Sequence, residues 1–412
     1  MRQLKFITLI SCLSLFSLKV RSQEPGNSKD TLLKNLIKTG FENLSVTVAK
    51  NDAYIFYEDR IYRWENDGLN NIIEESAHLF NDSITVHIVP LMRGIPVSIF
   101  SFKVIDYKNS VMASSEQTEA NYIIHRSFDT DPIRKLLKIT KPESRSFHKV
   151  DFIFLPGFKL QFGNFNNYVE SQVHLATTIQ SSFWKGMLLS AQVITPFYSE
   201  LQQVGERSVR LGNVSIEQLF RFPKNVFLTL STGFFDYSNP ITSTQVYQRY
   251  GFHSDLKKYF LDSRIVIGGY AGVTGMIRFS HGIFDYWPLD KVTGAVYGEY
   301  YLTKYNLTTR ITAGKYLYDD FAVRFNLTRQ FKEINIGVFA IKSSMGTNGG
   351  FNFSIPISSR KHCYPSAVRA SLANDLKYEF IYRTIHRDAD MYNTNTDLSD
   401  KVRNFNYVPE PK

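Results

Sequence analysis

Five charged residues on predicted strands are the clearest candidates for chemistry in this sequence. Glu217 and Arg221 lie four residues apart, and Glu299, Arg310 and Arg324 lie on later strands. Because successive side chains of a strand point to opposite faces, we expect all five on the polar face of one sheet. Such a charged lining could guide or hold an anionic polymer. Alternatively, the charges pair and fill a narrow barrel, and both interpretations stay open.

Aromatic residues near predicted strand ends form a second candidate set. They are Trp287, Tyr300, Tyr305 and Tyr316. Rings at strand ends are typical of the interfacial girdles of membrane barrels, which is the interpretation we favour. Stacking of these rings on sugars is the alternative.

The sequence carries none of the common catalytic fingerprints. It has no G-x-S-x-G, H-E-x-x-H, phosphate-binding loop or dinucleotide-binding motif, and none of its nine His has zinc-ligand spacing to a partner. We therefore predict no catalytic residues, no metal site, no cofactor and no enzyme activity. A pair of carboxylates for glycoside cleavage stays open, because such groups meet only in the folded chain.

The strands that must carry these residues are clearest between Val292 and Pro356, where apolar residues alternate with small, polar or charged ones. One face of this sheet is therefore apolar. The apolar positions include Val292, Val296, Ile311, Val323 and Val338. A soluble sandwich buries such a face against a second sheet, whereas a membrane barrel turns it to lipid. The inward charges and strands of roughly 9–11 residues favour an antiparallel transmembrane-type β-barrel of about 12 strands, even in number.

The composition of the chain limits which other classes of protein and binding partner come into question. Of the 412 residues, 15% are aromatic, and no apolar run of about 18 residues follows the N-terminus, which excludes a helical membrane protein. The formal charge is +10. For an exported protein this charge fits anionic lipid headgroups or an acidic polymer better than nucleic acid.

The predicted organisation has five parts. Residues 1–22 resemble a secretory signal peptide, with Arg2 and Lys5 before an apolar core, and lipidation at Cys12 stays open. Residues 30–105 are predicted to form a small α/β (ββαββ) domain, and 106–149 a linker. The barrel would span residues 150–386, and residues 387–412 would be a polar, mobile tail.

Several segments between Leu211 and Ile357 resemble, in order and spacing, the YjbH-type exopolysaccharide proteins of the outer membrane. They are Gly212–Pro223, Val292–Gly294, Thr312–Asp319, Thr328–Phe331, Gly337–Ala340 and Gly350–Ile357. The chain differs in being short, with one barrel and one small domain. It also has Ser366–Ser371 where the family carries an acidic segment.

The resemblance implies an outer-membrane protein whose N-terminal domain lies in the periplasm. We expect a non-enzymatic accessory role in exopolysaccharide assembly or export. The expected partners are outer-membrane lipid, an anionic exopolysaccharide and other export-system proteins, and no nucleic acid. The alternatives are an outer-membrane enzyme acting on lipid or polysaccharide, a small-solute porin, or a soluble glycan-binding β-sandwich.

Overall fold

A computed structural model describes most of the chain after the predicted signal peptide, which itself lies outside the described residues, as does Cys12. The described ranges are 25–114, 124–162, 169–201, 206–237, 248–280, 283–344, 346–361, 366–381, 389–394 and 398–407.

The first part of the chain, which we call the N-terminal module, is a helix-covered sheet. Its helices are α1 (Pro25–Thr39), α2 (Glu65–Leu79), α3 (Val104–Ser114) and α4 (Arg134–Ile139), with a 3₁₀ turn at Asp131–Ile133. Its strands are β1 (Glu42–Ala49), β2 (Asp52–Glu58), β3 (Thr85–Met92), β4 (Ile95–Pro96), β5 (Ile99–Lys103) and β6 (His125–Ser127). The strand order is β1-β2-β3-β5-β6, with β4 paired to β3.

Helix α2 forms because its apolar residues recur at helical spacing. Leu69, Ile72 and Ile73 are buried against the sheet, and Glu65 and Asp67 lie in the first turn, where acidic groups stabilise the helix dipole. The segment predicted as a linker contributes α3 and also β6, which pairs with β5 at the edge of the sheet. The module therefore extends beyond the predicted domain.

The second part is a large sheet of fifteen strands. They are β7 (Val150–Phe162), β8 (Val169–Ser181), β9 (Met187–Ser199), β10 (Arg210–Phe222), β11 (Val226–Phe235), β12 (Gln248–Phe260), β13 (Ile265–Ser280), β14 (Ile283–Tyr286), β15 (Lys291–Leu302), β16 (Leu307–Lys315), β17 (Phe321–Phe331), β18 (Ile334–Ser343), β19 (Thr347–Pro356), β20 (Val368–Leu372) and β21 (Asp375–Ile381). A 3₁₀ turn, Thr303–Tyr305, joins β15 to β16. Consecutive strands pair antiparallel from β7 to β13 and from β15 to β19, which confirms the predicted mainly-β class.

The first and the last strand in the order of the large sheet, β20 and β21, are neighbours in the sequence. Strand β20 pairs with β7, and β21 pairs with β19. Only Ala373 and Asn374 separate β20 from β21, and the Ala373 N–H donates to the Phe154 carbonyl at 2.9 Å. The β20–β7 pair is parallel, which differs from the purely antiparallel sheet that we predicted. It is parallel because both strands start at the rim beside the N-terminal module.

The large sheet has an exposed apolar face and a buried polar face. We call them the outer face and the interior face. Val296 and Ile311 on the outer face are 68% and 54% exposed, whereas Tyr297 on the interior face is 5% exposed. The polar residues Thr229, Asp255 and Lys257 are buried on the interior face. This arrangement is the reverse of a soluble sheet, which buries its apolar side.

The C-terminal segment contains helix α5 (Leu398–Asn406), where we predicted a mobile polar tail. Leu398, Val402 and Phe405 recur at helical spacing and are buried. Phe405 packs in the core of the N-terminal module, with its ring centroid 5.3 Å from that of Phe100. The prediction was wrong because three apolar residues in a polar segment are enough to hold a short helix against a core.

The described helices are all too short or too polar to cross a membrane.

We expect Phe405→Ala to destabilise the N-terminal module by about 3–5 kcal/mol, because it leaves a cavity in the core. Urea unfolding followed by the fluorescence of Trp64, a buried residue of the module, would measure the loss. Ile37→Ala, at a position 39% exposed, is the matched control and should cost about 0.5 kcal/mol. Equal losses in the two variants would contradict the packing of α5.

Candidate functional site

The N-terminal module inserts its β3–β4 turn into the interior of the large sheet. Arg93 lies at this turn, and its guanidinium contacts the Glu217 carboxylate at 2.5 Å. The side chains of Arg93 and Glu217 are only 3% and 5% exposed. The Gly186 N–H donates to the Arg93 carbonyl at 2.8 Å, so backbone contacts hold the same turn. Glu217 therefore fixes the module to the sheet.

Arg221 also binds the module. Its guanidinium donates to the carbonyls of Pro96 and Phe128, both at 2.6 Å, and lies over the rings of Phe128 and Phe227. Glu217 and Arg221 share a face, as predicted, but each binds the inserted module. An arginine that already donates to several carbonyls keeps few donors for another ligand.

The three remaining predicted charges also have protein partners. Arg310 pairs with Glu299 at 2.9 Å on the adjoining strand. Arg324 pairs with Glu379 at 2.7 Å. Each arginine also lies 4.0 Å from the centre of an interior aromatic ring, that of Tyr297 or Phe339. The structure therefore favours an ion-paired lining over a row of free charges.

Strand β12 carries interior charges that the sequence analysis missed. Asp255 and Lys257 pair at 2.8 Å, and the Tyr297 hydroxyl donates to Asp255 at 2.7 Å. A period-2 pattern was present in the sequence, since the apolar Phe252 and Leu256 alternate with these charged residues. The structure exposes both apolar side chains on the outer face. The pattern was hard to recognise because charged residues occupy several of its positions.

The C-terminal segment runs through the interior. Near the rim farther from the module, the Ala389 N–H donates to Asp320 at 2.8 Å. Tyr392 lies deeper, with its hydroxyl 3.0 Å from His253 Nδ1, and Ser399 accepts from Lys257 at 3.1 Å. The described residues 389–394 and 398–407 therefore lie along β12 in order, from that rim toward the N-terminal module.

A polar cavity of about 390 Å³ remains between the module, the C-terminal segment and the sheet wall. Its lining includes charged residues of both signs, among them Asp59, Arg63, Glu65, Glu333, Asp375, Lys377, Asp400, Lys401 and Arg403. Several of them pair across it, as Arg63 does with Glu333 at 2.6 Å and Lys377 with Asp400 at 2.6 Å. Within the described ranges, no group of three or more His, Cys, Asp or Glu could hold a metal ion.

The predicted aromatic set divides between the two faces. Tyr300, Tyr305 and Trp287 are 48%, 51% and 37% exposed, which leaves their rings accessible. Tyr316 is 4% exposed and packs with Phe339 in the interior. The prediction of an accessible ring was wrong for Tyr316, because Tyr316 continues the alternation of Thr312 and Gly314, which places its side chain on the interior face.

Comparison with known proteins adds a family. The family model described as "Exopolysaccharide biosynthesis protein YbjH" (YjbH) matches residues 16–404. No curated protein matches the chain. Similar solved structures include three variants of a Rhodopseudomonas blastica porin, each 8% identical, with TM-scores of 0.26–0.27. They cover 56% of this chain and 97–100% of the porin chain. TM-scores this low support no conclusion about function.

We expect Glu217→Gln to destabilise the protein by about 3–5 kcal/mol, because it leaves the buried Arg93 guanidinium without its counter-charge. Glu379→Gln is the matched control. Its carboxylate is 44% exposed, so the loss should stay below about 1 kcal/mol. The midpoint of thermal unfolding in detergent would compare them. Equal midpoints for the two variants would contradict the anchoring role of Glu217.

A second prediction concerns pH. Burial raises the pKa of the Asp59 carboxyl to about 7, and its Oδ2 has no hydrogen-bond partner among the described residues. Because the folded pKa lies above the unfolded value of about 3.9, Asp59 contributes stability fully below about pH 4 and loses it as pH rises through 7. We expect the melting temperature to fall by several degrees between pH 5 and pH 8.

Asp59→Asn should flatten this dependence, because the amide keeps an acceptor for the Ile61 and Tyr62 N–H groups and does not titrate. The exposed Asp82→Asn is the control and should keep the wild-type slope. A slope that is unchanged in Asp59→Asn would overturn the assignment.

Proposed function

The chain belongs to the YjbH exopolysaccharide biosynthesis family, and we propose that it is a non-enzymatic accessory protein of the outer membrane in exopolysaccharide assembly or export. In this proposal the large sheet is a closed barrel in the membrane, and the N-terminal module lies on the periplasmic side. Its partners are outer-membrane lipid, an anionic exopolysaccharide and other export-system proteins.

The exposed apolar outer face carries this proposal. Residues such as Val296, Ile311 and Val338 are more than half exposed and lie within the four consecutive strands β15 to β18, so in water they would form one continuous apolar surface. Monomeric soluble proteins rarely expose such large apolar patches. In a bilayer the same surface meets acyl chains and needs no protein partner.

The hydrogen bonding of the sheet supports closure. An open edge in lipid would leave backbone groups unpaired, and closure removes that cost. The adjoining strands β20 and β21 pair with β7 and β19, respectively, and the Ile357 N–H donates at 3.1 Å to the carbonyl of Asn374, which lies between β20 and β21. This segment can join the two ends of the sheet.

The filled interior favours an accessory role over a small-solute pore. The β3–β4 turn, the C-terminal segment and the ion pairs of the interior face occupy space that a porin leaves to water. The charges are paired to one another, whereas a catalytic carboxylate needs to face a substrate. We therefore assign the interior a structural role.

We expect Val296→Arg to reduce the stability of the membrane-inserted protein by about 2–4 kcal/mol, because the charge would lie near the middle of a spanning strand. Val292→Arg, near the end of the same strand, is the matched control and should cost about 0–1 kcal/mol. Folding titrations into lipid vesicles would measure both. A near-neutral Val296→Arg would contradict lipid contact, since an exposed valine in water tolerates arginine.

Deleting the gene should lower secreted matrix polysaccharide, and the wild-type protein should restore it. Glu299→Gln should restore it equally if the interior carboxylates have no catalytic role. Membrane fractionation and heat-modifiable gel mobility would show that each variant is inserted. Unchanged polysaccharide after deletion would overturn the role in production or export. Failure of an inserted, folded Glu299→Gln protein would favour an enzyme instead.

A further inference from the structure

The rim of the large sheet beside the N-terminal module carries basic residues next to exposed apolar ones. We call this surface the rim patch. Its residues are Arg134, Lys135, Lys138, Ile139, Trp184 and Lys185. The first four belong to helix α4, and the last two to the turn between β8 and β9. Ile139 is 77% exposed and Trp184 is 56% exposed.

Contacts hold helix α4 against this rim. Arg134 donates to the Arg221 carbonyl at 2.9 Å, and the Lys224 N–H donates to Asp131 at 3.0 Å. Partial burial of the Lys185 side chain, followed by the nearby cations Arg134 and Lys138, lowers its pKa. The helix and the turn therefore present their cations close together.

The cations of the rim patch are largely without counter-charges. The exposed Lys135, Lys138 and Lys185 form no ion pair with the described residues. Arg134 has a carboxylate at 3.9 Å, that of Asp131. Cations that outnumber the neighbouring carboxylate create a positive potential that attracts anions.

Trp184 connects the basic residues to the outer face. Its indole Nε1 donates to the Gln218 side chain at 2.8 Å. Gln218 lies on the same face of β10 as Ile216 and Phe220, which are 46% and 38% exposed on the outer face. Trp184 therefore lies at the edge of the apolar surface nearest the N-terminal module, where its ring can contact acyl chains while its N–H stays hydrogen-bonded.

We propose that the rim patch binds the headgroups of anionic phospholipids in the adjacent leaflet. This inference rests on the proposed membrane location of the outer face. The lysines would contact the lipid phosphates, and Trp184 and Ile139 would lie at the boundary of the hydrocarbon. A soluble anionic polymer could use the same cations, but it would leave the two apolar side chains in water.

Brominated lipids test the contact in the full-length protein. The protein with Trp287→Phe is reconstituted into vesicles of phosphatidylcholine and phosphatidylglycerol, with one lipid brominated at a time. Trp64 is buried in the module, so the quenching reports mainly on Trp184, and adding Trp184→Phe gives the background. We expect stronger quenching by brominated phosphatidylglycerol than by brominated phosphatidylcholine at equal content. The preference should weaken at high ionic strength.

Neutralising the patch gives the second measurement. Lys135→Gln, Lys138→Gln and Lys185→Gln together should abolish the preference, with a loss of up to roughly fivefold per lysine at low salt. The matched control neutralises Lys34, Lys38 and Lys50, which are exposed on α1 and after β1, and should keep the preference.

Three outcomes would overturn the proposal. Equal quenching by the two lipids in an inserted protein would reject the rim patch and leave the membrane location intact. Loss of the preference when soluble alginate competes would assign the patch to an anionic polysaccharide. Failure to insert, seen as absent heat-modifiable mobility, would reject the membrane location and the rim patch together.

Discussion

The structure depends on one constraint, which is the placement of apolar side chains on the outside of the large sheet and polar ones on the inside. Val296 is 68% exposed on the outer face, while Asp255 and Lys257 are buried on the interior face. Buried charges are costly unless they pair and form hydrogen bonds. The interior face meets this demand with ion pairs between neighbouring strands, such as Glu299 with Arg310.

The direction of the last strands decides what fills the interior. Because β20 and β21 run away from the N-terminal module, the chain leaves β21 at the opposite rim. Helix α5 nevertheless packs in the core of the module. Residues 389–394 bridge part of that distance along the interior face, where Tyr392 contacts His253. The parallel pairing of β20 with β7 and the burial of the C-terminal segment therefore both follow from the direction in which the chain runs through β20 and β21.

The module and the sheet form a single assembly through buried charge. Arg93 reaches Glu217, Arg221 reaches carbonyls of the module, and Arg369 pairs with Glu42 and Asp151. Removing one partner of a buried pair is strongly destabilising, because the other charge remains out of water. These contacts explain why charges that could have guided a polymer instead join the two parts of the protein. The remaining 390 Å³ cavity is lined by the same kind of paired groups.

The sequence by itself determined the strands between Val292 and Pro356, the face of each residue and the elements of the N-terminal module up to β5, because period-2 and period-3.6 patterns are local. It also carried the family resemblance, which the match over residues 16–404 confirms. It did not reveal β12, whose charges concealed its period, or the helix in the C-terminal segment. Only the tertiary structure decided the partners of Glu217 and Arg221 in the N-terminal module, since these lie more than 90 residues away in the chain and no local pattern encodes such distant contacts.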